Sequence, residues 1–127
     1  MLRNNHGFTL IELLTVVLII GALAVIALPK FVNTRERAYL AAMKTDLRNL
    51  ATAEENYFTE FLIYTTSTTA MEAHISRNVT IYIPNADLQG WRATATHFAA
   101  PGKVCEIYYG NSMTGSTATV EGAVECS

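Results

Sequence analysis

The sequence has few charged residues and lacks the residue patterns that mark common active sites. Charged side chains make up 16% of the 127 residues, the formal net charge is −2, and the nine Lys and Arg residues are scattered. This distribution gives no basic stripe for a nucleic acid. A Ser/His/Asp order, a glycine-rich phosphate loop, paired catalytic carboxylates and compact metal-ligand spacing are also missing. The composition therefore predicts no enzyme, cofactor or metal site, and it indicates one small domain with an additional apolar segment.

Cysteine is scarce as well, since only Cys105 and Cys126 occur, both near the carboxyl end. A disulfide between them would stabilise a small, strand-rich region by about 3 kcal/mol. Paired cysteines also indicate an oxidising, extracytoplasmic compartment. The alternatives are two free thiols or a metal site that includes His97, although these three residues lack compact ligand spacing.

Charge is nearly absent from residues 8–28, FTLIELLTVVLIIGALAVIAL, where Glu12 alone interrupts an apolar run. As a helix these 21 residues span about 32 Å, enough to cross a bilayer. A secretory signal has a shorter apolar region followed by a cleavage site of small residues. Pro29, Lys30 and Phe31 follow this run instead, so the general pattern predicts an uncleaved membrane anchor.

Glu12 needs a partner or a function, because an ionised side chain within a membrane span costs roughly 2.5–3.5 kcal/mol. Thr9 and Thr15 can donate hydrogen bonds but carry no charge. The nearest cations, Arg3 and Lys30, lie on either side of the span. We therefore expect the partner to be a chain terminus or another chain; the alternative is that Glu12 reaches toward the lipid headgroups.

Two signals for membrane orientation disagree. The positive-inside rule weighs Arg3 against Lys30, Arg35 and Arg37, and it would place the carboxyl-terminal domain in the cytoplasm. The cysteine pair requires a compartment that permits a disulfide. Because the charge rule has exceptions, we expect an extracytoplasmic carboxyl-terminal domain.

From residue 30 to about residue 61 the pattern becomes that of an amphipathic helix. Apolar positions recur at intervals of three, four and seven and share one helical face. They are Tyr39, Met43, Leu47, Leu50, Tyr57 and Phe61. Glu54 falls inside this stripe, and the pattern does not explain it.

The remainder of the chain predicts a sheet that covers this helix. Thr69 and Glu72 have the spacing of a capping box, which predicts a short helix over residues 70–75. Beyond it the apolar period changes to two. Strands are predicted over residues 79–83, 91–98 and 104–109, with a possible fourth over 118–124. We therefore predict an α+β fold, in which the long helix packs on three or four antiparallel strands.

The run Gly7-Phe8-Thr9-Leu10-Ile11-Glu12, at the start of a membrane-length helix, resembles the processing and assembly signature of type IV pilins and pseudopilins. The resemblance covers residues 1–60 well. It implies that a prepilin peptidase cleaves between Gly7 and Phe8 and methylates the new Phe8 amine. It also implies an assembly site of Phe8, Thr9 and Glu12, where the Glu12 carboxylate meets the amino terminus of a neighbouring subunit.

Gly21 and Pro29 are the weak points of the apolar helix. Proline removes an amide donor, and glycine lowers helix propensity by about 1 kcal/mol relative to alanine. For the assembled state a local break and a simple kink are both open, and similar pilins have a melted segment here. In the membrane we expect a continuous or gently bent helix.

The expected organisation has five segments. They are a cleaved leader (1–7), a transmembrane or filament-core helix (8–29), an amphipathic half-helix (30–61), an αβ loop (62–78) and a head containing the sheet and a carboxyl-terminal disulfide loop (79–127).

The resemblance implies a structural subunit of a type IV pilus, assembled into a surface filament for adhesion, twitching motility or DNA uptake. Before assembly the subunit would lie in the inner membrane with a periplasmic head. Its partners would be other copies, the peptidase, an assembly platform and motor ATPases.

Two other hypotheses remain. One is a pseudopilin of a type II secretion system. Major pseudopilins carry calcium in an acidic carboxyl-terminal loop, whereas residues 110–120 contain no Asp or Glu. The other is a monomeric, membrane-tethered binding domain.

Overall fold

One long helix and a four-stranded sheet make up the fold. The computed structural model describes residues 7–112 and 115–127, with the backbone alone at Pro29. The elements are α1 (Leu10–Phe61), β1 (Val79–Ala86), β2 (Gly90–His97), β3 (Val104–Gly110) and β4 (Glu125–Cys126). The strands form an antiparallel meander in the order β1-β2-β3-β4. The predicted α+β fold is confirmed.

The chain divides into two compact units, Met1–Arg35 and Glu36–Ser127. In the first unit the described large apolar side chains are exposed, from 46% at Val16 to 83% at Leu10. Within the described residues, α1 is the one helix long and apolar enough to cross a membrane. This unit therefore has an apolar surface that it does not bury by itself.

The second unit has its own core, between α1 and one face of the sheet. Met43, Leu47 and Leu50 of α1 are fully buried, as their spacing predicts. The buried side chains opposite them are Trp91, Ala93 and Ala95 on β2 and Cys105 and Ile107 on β3. Alanine on the central strand leaves room for the larger side chains of the helix, which keeps the interior close-packed.

The apolar face of α1 ends earlier than the sequence pattern predicts. Phe61 is 54% exposed, and its ring packs on Tyr57 with centroids 4.5 Å apart. Leu62 follows with a φ of 58°, a left-handed conformation that ends the helix. The prediction that Phe61 packs against the sheet was wrong because the helix stops at this residue.

The predicted helix over residues 70–75 is absent, and the chain forms turns there instead. The Ala70 amide donates to Ser67 Oγ at 3.2 Å, so a serine hydroxyl holds the start of these turns. Glu72 has a φ of 52°, which an α-helix does not accommodate.

The outer strands also differ from the prediction. β1 continues beyond residue 83 because a bulge between Tyr82 and Asn85 accommodates Pro84. β4 is a two-residue strand that lies after the predicted 118–124 segment. That segment turns instead of pairing, since Gly122 has a φ of 72° and the Glu125 carboxylate holds the Thr119 amide at 3.0 Å.

Candidate assembly site

Thr9 and Glu12 form a reciprocal cap at the start of α1. The Thr9 amide and the Thr9 hydroxyl both donate to Glu12 Oε2, each at 2.8 Å. In return, the Glu12 amide donates to Thr9 Oγ1 at 3.3 Å. Helix α1 begins at Leu10, so this is a capping box with Thr9 as the N-cap. The cap fixes the Glu12 carboxylate beside the amino end of the helix.

Thr9 is the hydrogen-bond donor expected from the sequence, but the Thr-x-x-Glu spacing was not recognised there as a capping box. The hydrogen bonds that the described residues make to this carboxylate all use Oε2. No cation of the described residues lies within ion-pair distance of it. The cap therefore orients the carboxylate but does not neutralise it. Its negative charge is balanced only in part by the helix dipole, which is equivalent to about half a positive charge at the amino end.

The two residues of the predicted processing site lie at the surface, just before the cap. Gly7 and Phe8 are both exposed, and Phe8 is the residue immediately before the cap. Residues 1–6 of the predicted leader lie outside the described residues. An amine released at Phe8 would be one residue away from the Thr9 amide that Glu12 already accepts.

The predicted helix-break residues lie within a continuous helix. Helix α1 passes through both Gly21 and Pro29 without interruption. A Cβ placed at Gly21 would meet nothing within 4 Å, so packing within this chain does not require glycine there. The break in the assembled state stays a prediction.

Cys105 and Cys126 form a disulfide that joins β3 to β4. They are also directly paired in the register of these strands. The His97 ring stacks on Tyr39 with centroids 4.4 Å apart, and its Nδ1 accepts the Ala99 amide at 3.0 Å. Because both sulfurs are in the disulfide, they are not available as metal ligands beside His97.

Three glutamates hold the carboxyl-terminal loop by its backbone amides. The buried Glu106 accepts from the Thr117 amide at 2.7 Å and from the Thr117 hydroxyl. Glu121 accepts from the Gly110 amide at 2.7 Å. Hydrogen bonds from Thr119 hold the pKa of Glu125 below its usual value. These side chains flank the acid-free segment and hold its described residues Gly110, Thr117 and Thr119.

Acidic side chains of α1 hold the αβ loop in the same way. Glu54 Oε2 accepts from the Thr65 amide at 3.1 Å, and Glu55 accepts from the Tyr64 hydroxyl at 3.1 Å. Asp46, which the sequence analysis did not single out, accepts from both the amide and the hydroxyl of Ser76. Two buried acids, Asp46 and Glu54, and the exposed Glu55 therefore anchor the loop to the helix.

Glu54 is the most unusual of these groups, because its side chain is fully buried. Burial raises its pKa to about 7, despite the hydrogen bond from Thr65. Its Oε1 atom is buried without a hydrogen-bond partner among the described residues. The helical pattern left Glu54 unexplained. The structure shows that its carboxyl group accepts the Thr65 amide of the αβ loop.

Comparison with known proteins places these features in a family. The model of the "Prokaryotic N-terminal methylation motif" matches residues 2–28. The chain is 50% identical over 57 residues to "Type IV major pilin protein PilA" of Myxococcus xanthus, covering 45% of this chain and 26% of that protein. It is 31% identical over 75 residues to "Type II secretion system core protein G" of Pseudomonas aeruginosa, covering 59% and 53%. The chain thus spans between a quarter and about half of the length of these two relatives.

A third relative is matched over most of both chains. The "Type IV wide pilus major component PilA4" of Thermus thermophilus is 32% identical over 100 residues, which cover 76% of each protein. The match extends beyond the apolar helix into the head, and the head has the α+β fold described above. The chain belongs to the type IV pilin family.

Proposed function

We propose that this chain is a structural subunit of a type IV pilus, assembled from the inner membrane into a helical surface filament. One observation carries the proposal. The first unit exposes a continuous apolar surface with a single carboxylate, that of Glu12, in its first turn. Such a surface needs lipid or other copies of itself around it. The proposal assigns no catalytic activity to the chain.

In the proposed assembly step, the Glu12 carboxylate of one copy pairs with the Phe8 amine of a neighbouring copy. Cleavage between Gly7 and Phe8 would create this amine, and the peptidase would then methylate it. The Thr9 cap supports the proposal because it holds the carboxylate in one position before the partner arrives. In a low-dielectric bundle, removing one member of such a pair costs roughly 3–5 kcal/mol.

The remaining partners and the location follow from the same proposal. The subunit would wait in the inner membrane with its head in the periplasm, and an assembly platform with motor ATPases would extract it. The extracellular filament would serve adhesion, twitching motility or DNA uptake. A break between Gly21 and Pro29 would then form on leaving the membrane, where neighbouring helices replace lipid.

A pseudopilin is the second candidate, because a type II secretion system protein is among the relatives. In the described head, the glutamates near the carboxyl-terminal loop accept hydrogen bonds from loop residues. This arrangement favours the pilin, since a calcium-binding loop would use its acidic groups as metal ligands.

The test is to shear the surface filaments from cells that express this chain and to analyse them by electron microscopy and mass spectrometry. We expect this chain to be a main component and to begin at a methylated Phe8. Filaments confined to the periplasm would favour the pseudopilin. A chain that retains residues 1–7 and stays as single copies in lipid would contradict both candidates.

A further inference from the structure

The head, taken as unit Glu36–Ser127, has two distinct ends. Strand β2 joins the β1–β2 turn to the β2–β3 turn, so the two turns lie at opposite ends of the sheet. Eight residues of β2 separate them by about 26 Å. The end of α1 lies near the first turn, since the Tyr64 amide donates to the Asp87 carbonyl at 3.2 Å.

A shallow apolar groove lies at the end of the head that contains the β1–β2 turn. We call it the Leu88 groove; it has a volume of about 350 Å³ and is lined by Ile63, Ala86, Asp87, Leu88 and Gln89. Leu88 is 66% exposed and Ile63 is 42% exposed. Exposed apolar side chains that cluster in this way commonly mark an interaction surface.

The chain beside this groove is strained. Leu62 has a φ of 58°, a conformation rarely adopted by a leucine, and its side chain is 67% exposed. Strain of this kind persists where the surrounding structure or a function maintains it. Here the strained backbone keeps the Leu62 side chain exposed next to Ile63.

The opposite end of the head presents Phe98, which is 89% exposed. Its backbone is nevertheless well held. The Phe98 amide donates to the Asn78 carbonyl at 3.0 Å, and the following Ala99 amide donates to His97 Nδ1 at 3.0 Å. A fixed backbone with a projecting aromatic ring is a suitable anchor for a pocket on another molecule.

The two ends also differ in charge. Exposed acids predominate at the groove end, where Glu60 lies in the last turn of α1 and Asp87 lies in the groove itself. At the Phe98 end Arg77 is exposed next to Asn78. The charge of Lys103, in the β2–β3 connection, is offset by its ion pair with Glu36 at 3.5 Å. The positive charge of Arg77 is therefore complementary to the acids at the groove end.

We propose that Phe98 of one head inserts into the Leu88 groove of a second copy. The two surfaces differ and lie at opposite ends of the head, so each copy can use both at once. A contact of this heterologous kind does not pair two copies into a closed dimer, and it propagates into an open helical array. The inference rests on the proposed filament function, and it names the head-to-head contact within that filament.

The direct test places the photoreactive residue p-benzoylphenylalanine at position 98 of the full chain and irradiates intact surface filaments. We expect a crosslinked dimer whose adducts map to residues 61–64 or 86–89 of a second copy. Adducts that map elsewhere, or to another protein or lipid, would overturn this contact while leaving the filament function in place. If no filament contains the chain, both proposals fail.

A matched pair of variants supplies a second test. Phe98→Ala removes the inserted ring, and Tyr82→Ala removes a 66%-exposed ring from β1, away from both ends of that strand. Both positions are on the surface, so each variant should fold. We expect Phe98→Ala to lower the amount of sheared filament roughly tenfold, as loss of one interfacial aromatic does, and Tyr82→Ala to leave it unchanged. Equal yields from the two variants would contradict the proposal.

Discussion

At the scale of single residues, Glu12 has two separable roles. Its carboxylate caps the helix through Thr9, and its charge is available to a neighbouring copy. The cap needs only a hydrogen-bond acceptor, whereas the proposed pair with the Phe8 amine needs the negative charge. The two roles can therefore be separated by substitution.

Glu12→Gln keeps an acceptor for the Thr9 amide and removes the charge, whereas Thr9→Val keeps the charge and removes the hydroxyl. We expect Glu12→Gln to be cleaved normally but to lose most filaments, because the neighbouring amine would lack its partner at a cost of roughly 3–5 kcal/mol. Thr9→Val should weaken only the cap, by about 1 kcal/mol. Immunoblots of sheared filaments and of cleaved subunit measure both effects. Normal filaments from Glu12→Gln would contradict the charge-pair account.

Glu54 makes the stability of the head depend on pH. Its pKa is about 7 in the folded chain because of burial, against 4.5 in the absence of burial. The folded chain therefore binds more protons than the unfolded chain between these values. The stabilisation associated with the protonated group is complete below about pH 4.5, decreases as the pH rises, and is lost above about pH 7.

Glu54→Gln should remove this dependence on pH. We expect the wild-type chain to lose about 2–3 kcal/mol of unfolding free energy between pH 5 and pH 8 through this group. The variant should be more stable than wild type at pH 8 and similar at pH 5. Fluorescence of the fully buried Trp91 reports unfolding in denaturant. Glu55→Gln is the control, since this exposed neighbour also ties the αβ loop and should leave the wild-type slope in place.

At the scale of elements, regular periodicity predicted α1 and strands β1 to β3, because burial on one face sets the period of the apolar residues. Sequence reasoning misplaced a helix over residues 70–75 and a strand over residues 118–124. In both segments, hydrogen bonds from backbone amides to side chains determine the structure. Glu125 draws the amides of Thr119 and Val120 away from strand pairing, and the predicted strand becomes a turn. In the same way, Ser67 Oγ accepts the Ala70 amide in the turns that replace the predicted helix. Which acceptor captures an amide depends on tertiary distances that periodicity does not contain.

The carboxyl-terminal loop is held by the disulfide and by hydrogen bonds to Glu106, Glu121 and Glu125. The cysteines are 21 residues apart, so their removal should lower the unfolding free energy by about 3 kcal/mol in the chain-entropy model. We expect Cys105→Ser/Cys126→Ser to show faster amide exchange after residue 110, with the α1 core still protected. Hydrogen exchange read by mass spectrometry measures this change. Non-reducing peptide mapping is the control, and free thiols in exported wild-type protein would contradict the pairing.

At the scale of the whole molecule, the two units differ in whether they bury their own apolar side chains. The second unit buries Trp91, Met43, Leu47 and Leu50 and has its own core. The first unit exposes nearly all of its apolar side chains, so its surroundings must supply the apolar contacts. Sequence reasoning identified the apolar run of the first unit because such a run is visible without any tertiary information. The partner contacts of the apolar unit depend on other copies, which a single chain does not contain.

The stability of the whole head should not depend on calcium, and this separates the two candidate members of the family. Residues 7–112 and 115–127 contain no group of three or more His, Cys, Asp or Glu side chains able to hold a metal ion. The loop glutamates accept backbone amides instead. Calcium bound at 100 times its Kd would add about 2.7 kcal/mol to the unfolding free energy, which is more than about 10 °C in Tm for a domain of 60–100 residues.

We therefore expect the chelator EDTA to leave the Tm of the detergent-solubilised full chain within about 1 °C of its value in added calcium, since no bound ion would be removed. Differential scanning fluorimetry of Trp91 measures this Tm. A reducing agent serves as the positive control, because opening the Cys105–Cys126 disulfide should lower the Tm in both solutions. A loss of 10 °C or more on chelation alone would reveal a calcium site. It would also shift the assignment toward the secretion pseudopilin, because the loop would then be held by a metal ion and not by its glutamates.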